Sequence, residues 1–542
     1  MKATMMDYPL TLDHILERAG KQFAPIEIVS RMPDQSLHRY TYGDFYRRAR
    51  QLAEALQKIG LQKGERVGTL MWNHFAHLEA YLGIPVSGGV LHTLNLRLHP
   101  SEIAYIINHA QDRFLIIDDI LLPLYEKIKD HVKIERVFVV SLTGQPIPPG
   151  YESYEDLLKL ATGEFVYPQI TENDPAGMCY TSGTTGNPKG VVYSHRSIVL
   201  HCFSSALLDG MALAQKDVVT PVVPMFHVNA WGLPFTCAMV GSKQVFPGPH
   251  LDPISLLDLF ETEKVTITAG VPTIWMGILH ALNKEKDRWK LQNDMLLVVG
   301  GSAAAEALIR GFDQHGLRLR QAWGMTETSP LGTAAGIKSN LLDENEDKIY
   351  ELSATQGYAV PFVDTRVCRD GKALPWDENS IGELEVRGPW IAASYYKEQD
   401  RDHNWTADGW FKTGDMVTIN EDGYVTIVDR TKDLIKSGGE WISSVALENT
   451  LMGHPAVAEA AAVGIPHPKW QERPLMVVVL HQDHTTTPAE LNAFLNSKFE
   501  KWMLPDSYVF VKEIPRSSAG KFLKRALREQ YQDWNWEEHT VK

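Results

Sequence analysis

The sequence predicts a large N-terminal α/β domain with largely parallel, helix-covered sheets, followed by a small α+β C-terminal domain. The chain has 542 residues, which is more than a single hydrophobic core usually spans. Short apolar runs alternate with amphipathic helical patterns over most of the length, an order typical of parallel sheets covered by helices. Near residue 430 the segments become shorter and mixed, which indicates a second compact unit.

The large domain contains one helix that the pattern defines clearly. Apolar residues recur every three or four positions over Phe45–Ile59 and form one face. Thr41 and Asp44 resemble a capping box before this helix, and Gly60 closes its end. Short apolar runs predict strands at Val67–Met71, Phe114–Ile117, Val137–Val140, Val265–Ala269 and Leu296–Val299.

The small domain is predicted to follow a short charged junction. The boundaries are residues 1–429 for the large domain, 430–432 for a hinge and 433–542 for the small domain. The small domain's predicted elements are a helix near Ser443–Met452, strands at Val457–Val463 and Leu475–Leu480, a helix opening at Thr487-Pro488, and a strand at Tyr508–Lys512.

Charge and composition exclude several classes of protein. The net charge of −14 argues against a nucleic-acid partner. A basic cluster of Lys521, Lys524, Arg525 and Arg528 suits either a small anionic ligand or a solvated helix face. The four cysteines form no C-x-x-C pair, so neither zinc nor a redox motif is indicated. The first residues lack the apolar core of a signal peptide, and no apolar run is long enough for a membrane span, so we expect a cytoplasmic protein.

The strongest local signal is a glycine-rich loop at residues 180–190. Its glycines let the backbone approach an anion, and its hydroxyls and lysine add donors for a polyphosphate. The donors and glycines are Thr181, Ser182, Gly183, Thr184, Thr185, Gly186 and Lys189. A Walker A loop would place G-K-[S/T] directly before a helix. Here Lys189 precedes a strand-like run, and only then does Ser194 open a helix, which disfavours a P-loop kinase or NTPase.

This loop and the motifs that follow it resemble the acyl-adenylate-forming superfamily, which includes acyl-CoA synthetases. The resemblance covers nearly the whole chain in the expected order. It implies that ATP and Mg²⁺ activate a carboxylic acid as an acyl-adenylate, which then passes its acyl group to coenzyme A. Thr184 is implied in catalysis and, with Glu327, in holding Mg²⁺, an ion that prefers hard oxygen ligands.

Three further motifs gain their roles from the resemblance. Residues 321–327, placed after a strand ending near Leu319, would put Trp323 on the adenine and Thr326 on the α-phosphate. Asp415 and Arg430 would contact the ribose. The remaining nucleotide contacts implied are Gly301, Ser302, Ala303 and Gly324. On their own, residues 321–327 could also form an ordinary turn, residues 300–304 fit tight helix–strand packing better, and an Asp after Gly is usually a turn residue. The family commonly has Tyr at position 323, so any phenol hydrogen bond would be lost.

The segment 224–232 bears on the acid. By resemblance, His227 lies near the substrate carboxylate and Trp231 closes a fatty-acid tunnel, although a core aromatic explains Trp231 as well. The segment offers no carboxylate for a substrate amine, and a buried ammonium without a partner is costly, so an amino-acid substrate is disfavoured.

The small domain carries the last motifs. The family's essential lysine matches Lys521, which would bridge the carboxylate and the α-phosphate, and the hinge matches Lys432. A second loop would border the thioester channel after the small domain rotates; its residues are Lys436, Gly438, Gly439, Glu440 and Trp441.

The sequence therefore predicts a CoA ligase for a medium- to long-chain fatty acid, and resemblance suggests a homodimer. A ligase for a short-chain, methylthio- or aromatic acid is the alternative, because pocket depth cannot be read from the sequence. A non-catalytic nucleotide or acyl-CoA sensor is a remote alternative, since Thr184, Glu327, Asp415, Arg430 and Lys521 are all present.

Overall fold

The computed structural model describes residues 1, 3–181, 187–398, 403–438, 440–482, 484–517 and 521–536. Its first sheet has seven strands. In spatial order they are Glu152–Ser153, Arg136–Val140, Asp112–Asp118, Arg66–Leu70, Val90–Thr93, Pro175–Tyr180 and Gly190–Ser194. All neighbours are parallel except the last pair, which flanks the predicted phosphate loop.

The second sheet has nine strands. In spatial order they are Tyr358–Ala359, Leu331–Ala334, Arg318–Gly324, Leu296–Val299, Ile267–Gly270, Val218–Pro221, Lys243–Phe246, Glu27–Arg31 and Leu37–Thr41. Its central pairs are parallel, and antiparallel strands close both edges. The residues of Leu296–Val299 are all buried, because a parallel strand between helices hides both of its faces.

A third sheet completes the large domain and is fully antiparallel, a feature that the sequence analysis did not predict. Its strands are Lys372–Ala373, Asp364–Arg369, Gly382–Arg387, Phe411–Ile419 and Val425–Arg430. The small domain's sheet contains Glu440–Ile442, Ile435–Ser437, Gln471–Leu480 and Val457–His467, with Ser507–Phe510 parallel to Gln471–Leu480.

Helices cover these sheets and enclose the cores. They are Leu12–Gln22, Tyr42–Lys58, Phe75–Val86, Pro100–Ala110, Leu122–Tyr125, Tyr154–Leu158, His195–Ala206, Leu233–Val240, Pro253–Glu263, Pro272–Lys284, Glu306–Asp313, Glu346–Ala354, Ser444–Leu451, Pro488–Leu495 and Lys524–Gln530. The largest core joins the two large sheets, since it contains Phe114 and Phe138 of one and Val219 and Ile267 of the other. Among the described residues, no helix combines the length and the apolar character needed to cross a membrane.

The predicted elements are present, with shifted ends. The capping box of Thr41 and Asp44 is confirmed, and Thr487 caps the helix Pro488–Leu495 in the same way. Two predicted strand boundaries were wrong, one at the end of a strand and one at its start. The strand predicted to end near Leu319 continues to Gly324, because Leu331–Ala334 pairs with its second half. The strand predicted from Val265 begins at Ile267, after the left-handed Lys264 ends the preceding helix.

Candidate active site

One cavity of about 1380 Å³ collects residues from both domains. Most of the predicted site residues line it: Thr181, Lys189, His227, Trp231, Gly301, Ser302, Ala303, Trp323, Gly324, Thr326, Glu327, Asp415, Arg430, Lys432 and Lys521. Ser182, Gly183, Thr184, Thr185, Gly186 and Gly439 lie outside the described residues. The cavity opens where several strands end, which is where α/β folds usually place ligands.

Asp415 lies at the centre of a polar contact between two sheets. Its Oδ2 accepts a hydrogen bond of 2.8 Å from the indole Nε1 of Trp323, and its Oδ1 lies 2.7 Å from Nε of Arg430. Neighbouring antiparallel strands hold Asp415 opposite Arg430. The sequence analysis expected only that Trp323, in place of the family's Tyr, would lose a phenol hydrogen bond. It did not predict that the indole N–H would donate a hydrogen bond to Asp415.

The ring of Trp323 is fixed by the strand beside it. A Cβ atom at Gly332 would lie 2.5 Å from Cζ3 of the indole, so only glycine fits at that position. The side chain is buried and its N–H is directed at Asp415. These contacts preorganise one wall of the cavity, because packing holds the ring and two polar contacts hold the carboxylate.

Glu327 provides a buried carboxylate in the short turn Thr326–Thr328. Its Oε1 accepts a 2.6 Å hydrogen bond from the hydroxyl of Tyr395. Burial raises the pKa of Glu327, and the Tyr395 hydrogen bond only partly opposes this. Lys189 lies close by, with Nζ 4.6 Å from the centre of the Tyr395 ring and 3.3 Å from Oε2 of Glu398.

Lys521 extends into the cavity from the small domain. A Cβ atom at Gly301 would lie 3.4 Å from its Cε, so the lysine stem packs against the segment after strand Leu296–Val299. The pKa of Lys521 is lowered to about 8, chiefly by burial and also by the charge of Arg430, while the carboxylates of Asp415 and Glu327 oppose the decrease. A cation from one domain therefore faces carboxylates from the other.

His227 comes directly before an unusual turn, and Trp231 lies within it. Residues Val228, Asn229, Ala230, Trp231 and Gly232 have φ values of 44°, 51°, 48°, 57° and 74°, which form a left-handed turn. Left-handed conformation costs an L-residue about 1–2 kcal/mol. The indole of Trp231 crosses Gly300, where a Cβ atom would lie 3.0 Å from its Cη2. Burial lowers the pKa of His227 to about 4, helped by Lys521 and Arg97, so the imidazole is neutral near pH 7.

Contacts from the seven-stranded sheet hold this turn in place. The thiol of Cys179 lies 3.3 Å from Oδ1 of Asn229, and the hydroxyl of Thr93 lies 3.5 Å from the same oxygen. Asn73 binds the segment before the turn: its Nδ2 donates to the carbonyls of Pro221 and Val223, each at 2.9 Å, and its Oδ1 accepts from the N–H of Met225 at 2.7 Å. Strained backbone persists only where surrounding contacts fix it in this way.

The predicted thioester loop lies away from the cavity. Lys436 and Glu440 belong to the strand pair Ile435–Ser437 and Glu440–Ile442, Gly438 has φ +61°, and Trp441 is 48% exposed. None of the four described loop residues lines the cavity.

The basic cluster near the end of the chain mostly makes ion pairs. Nζ of Lys524 lies 2.7 Å from Glu448, and Nη1 of Arg528 lies 2.6 Å from Asp433. These ion pairs account for both cations without an anionic ligand, and Lys524 is not on a solvated face, because its side chain is only 12% exposed. Only Arg525 keeps an exposed position, 2.7 Å from Glu529.

Comparison with known proteins identifies the family. The family model described as "AMP-binding enzyme" matches residues 16–396, which is more than half of the chain. The chain belongs to the AMP-binding enzyme family. The model of the AMP-binding enzyme C-terminal domain matches residues 446–521, so the match extends to Lys521.

Members of the AMP-binding enzyme family align with the chain over nearly its full length. A long-chain-fatty-acid–CoA ligase of Thermus thermophilus is 52% identical, covering 98% of this chain and 97% of that protein. A 3-methylmercaptopropionyl-CoA ligase of Ruegeria lacuscaerulensis is 45% identical, covering 98% and 99%. The crystal structure of an anthranilate CoA ligase in complex with anthranoyl-AMP has a TM-score of 0.86 at 26% identity, covering 98% and 99%.

Some side chains of this AMP-binding enzyme that shape the cavity were missed by the sequence analysis. Tyr395 reaches Glu327 across 68 positions, and Asn73 reaches Met225 across 152. A Tyr in a Ser-Tyr-Tyr run and an Asn after a Trp carry no local signal for such contacts, so only the fold reveals them.

Proposed function

We propose that this AMP-binding enzyme is an AMP-forming acyl-CoA ligase for a medium- to long-chain fatty acid. In the first step, ATP and the acid give acyl-AMP and pyrophosphate. In the second, coenzyme A gives acyl-CoA and AMP. The observation that carries the proposal is the convergence on one cavity of Lys521 from the small domain, Glu327 and Asp415 from the large domain, and Arg430 from the hinge.

The first step needs charge neutralisation more than it needs a nucleophile from the protein. A carboxylate oxygen attacks the α-phosphorus, a P–O bond forms, and pyrophosphate leaves with the electrons of the broken bond. Both reactants are anions, so a preorganised cation lowers the barrier. We assign this role to protonated Lys521, with Thr326 and the phosphate loop, including Thr181 and Lys189, holding the phosphates.

The nucleotide is assigned to the wall formed by Trp323 and Asp415. The indole would face the adenine, and Asp415 and Arg430 would contact the ribose hydroxyls. Gly301, Ser302, Ala303 and Gly324 would complete the nucleotide contacts, since all four line the cavity.

Mg²⁺ fits the residues of this site. Glu327 offers a buried carboxylate that lines the cavity, and oxygen donors suit this ion. Glu327 and Thr184 would hold it, and Mg²⁺ supplies neutralisation of phosphate charge when bound. Mg²⁺ usually takes only one or two carboxylates besides phosphates and water, so a richer cluster of protein ligands is not required.

The acyl chain is assigned to the side of the cavity closed by Trp231. Neutral His227 can hydrogen-bond to a substrate carboxylate without the full charge of an imidazolium. The 52% identity to a long-chain-fatty-acid–CoA ligase supports a fatty acid. The 45% identity to a 3-methylmercaptopropionyl-CoA ligase supports a short methylthio acid as the second candidate.

The second step requires a change of domain orientation. We propose domains at 1–429 and 433–542 that rotate about a hinge at 430–432, centred on Lys432. Rotation would withdraw Lys521 and bring in the loop of Lys436, Gly438, Gly439, Glu440 and Trp441. The position of the described loop residues outside the cavity supports this exchange. A homodimer and a cytoplasmic location complete the proposal, and sedimentation velocity would test the dimer.

One experiment tests the reaction and the acid. The purified protein is incubated with Mg·ATP, coenzyme A and acids of increasing chain length, and AMP and pyrophosphate are measured. Release that peaks with medium or long chains supports the fatty acid, and release only with short acids supports the second candidate. ADP, or no product with any acid, would contradict the proposed reaction.

A further inference from the structure

The small domain is fastened to the last strand of the large domain by a buried polar contact. Asp429 belongs to strand Val425–Arg430, and its Oδ2 accepts hydrogen bonds of 2.6 Å from both the backbone N–H and the hydroxyl of Ser444. Ser444 is the first residue of helix Ser444–Leu451 in the small domain. A carboxylate there is stabilised by the free N–H groups and the helix dipole. Asp429 therefore caps a helix that lies on the other side of the proposed hinge.

Two further side chains support this contact from within the small domain. Nζ of Lys524 donates to the hydroxyl of Ser444 at 2.5 Å and lies 2.7 Å from Oε1 of Glu448. The same oxygen of Glu448 accepts a 2.7 Å hydrogen bond from the N–H of Ala462. Asp429 and Ser444 are both 0% exposed, so water does not compete for their hydrogen bonds.

The contacts fall into two groups with respect to a rotation about Lys432. The ion pair of Lys524 with Glu448 lies within the small domain and would move with it as a rigid unit. The hydrogen bonds from Ser444 to Asp429 join the two domains, as does the hydrogen bond from the Ser443 hydroxyl to the Val428 carbonyl. These contacts lie on opposite sides of the hinge, so a rotation that exchanges Lys521 for the thioester loop would strain this second group.

We propose that Asp429 and Ser444, supported by Lys524 and Glu448, form an interdomain latch. The latch is a set of positioning residues: it holds the small domain in the orientation that places Lys521 at the cavity, and it opens for the coenzyme A step. This inference rests on the proposed two-step function and assigns the choice between the two orientations to specific residues.

The test compares the two half-reactions in Ser444→Ala. This variant keeps the backbone hydrogen bond but loses the hydroxyl that joins Asp429 to Lys524. Loss of a hydrogen bond to a charged group shifts an equilibrium by about tenfold or more. We expect single-turnover acyl-AMP formation to fall about tenfold, while conversion of supplied acyl-AMP and coenzyme A stays constant or accelerates.

A matched control is available on the same small domain. Arg525→Ala removes an exposed ion pair to Glu529 within helix Lys524–Gln530, and within the part of the chain that the structure describes Arg525 makes no hydrogen bond or ion pair across the hinge. Both half-reactions of this variant should match the wild type. Equal loss of both half-reactions in Ser444→Ala would overturn the latch and leave a purely structural role.

A distance measurement keeps the inference testable if catalysis changes little. Labels on cysteines introduced at the exposed Glu344 and Lys498 would report the separation of the two domains, since the four native cysteines are buried. Ser444→Ala should broaden or shift the distribution, and an unchanged distribution would overturn the latch. A wild-type protein that makes no acyl-AMP from any acid would instead contradict the proposed function, before any variant is compared.

Discussion

The pKa of Lys521 should limit acyl-AMP formation at alkaline pH. Burial, followed by the charge of Arg430, lowers the pKa of Lys521 from 10.5 to about 8, while Asp415 and Glu327 oppose the change. A decrease of this size corresponds to about 3 kcal/mol by which the site disfavours the charged amine. The free enzyme therefore begins to lose its proposed catalytic cation only slightly above physiological pH.

The direction of the pH effect follows from the charge. The protonated amine is the form that neutralises phosphate, so the rate of acyl-AMP formation should fall as pH rises through about 8. Bound ATP is anionic and favours the protonated form, so the fall in kcat should occur at a higher pH than the fall in kcat/KM. Lys521→Arg retains a charge at all accessible pH values and should remove this fall. Lys521→Ala should lower the rate about 10²–10³-fold.

The assay is single-turnover formation of acyl-AMP from about pH 6 to 10, a range that brackets the pKa of Lys521. The thioester step, started from supplied acyl-AMP, is the internal control. The control should lack the alkaline fall, because Lys521 would have left the site. An alkaline fall that persists in Lys521→Ala, or an equal loss of both half-reactions in that variant, would refute the assignment.

Three further substitutions test separate walls of the cavity. Trp323→Phe keeps an aromatic face but removes the N–H that binds Asp415, so it should raise KM for ATP about tenfold or more, since hydrogen bonds to charged groups contribute about 1.5–3 kcal/mol. An unchanged KM contradicts the assignment. Gly300→Ala places a methyl group against Trp231 and should change KM for long acids about tenfold, because overpacking by a methyl costs about 1–3 kcal/mol. The test is KM measured as a function of acid chain length. A change of the same size for every acid would argue against an acyl role for this position. Glu327→Gln should lower the rate about 10²–10³-fold and raise the Mg²⁺ concentration needed for half-maximal rate. Mg²⁺ titration of pyrophosphate exchange measures both effects. An unshifted titration would exclude Glu327 as a ligand.

The sequence was most informative where local chemistry marks a position. The alternation of apolar runs predicted the parallel strands, because a strand buried on both faces needs apolar residues throughout, as Leu296–Val299 has. The order of the motifs predicted that Trp323, Asp415 and Lys521 share a cavity. The hydrogen bond from Trp323 to Asp415 could not be predicted, because it depends on a rotamer that packing against Gly332 imposes.

The left-handed turn shows why other features of the site could be identified only from the structure and not from the sequence. Valine and tryptophan disfavour positive φ, so sequence reasoning would place Val228 and Trp231 in ordinary backbone. At about 1–2 kcal/mol for each non-glycine residue, the turn requires compensation from outside itself. Asn73 supplies it by binding the segment before the turn, and Thr93 and Cys179 supply it by contacting Asn229 within the turn. Trp231 is thus positioned by contacts within the large domain, whereas Lys521 depends on the orientation of the small domain. Because the two groups are held by separate contacts, substitutions at the turn should alter which acid is accepted without changing the balance between the half-reactions, and substitutions at the latch should do the reverse.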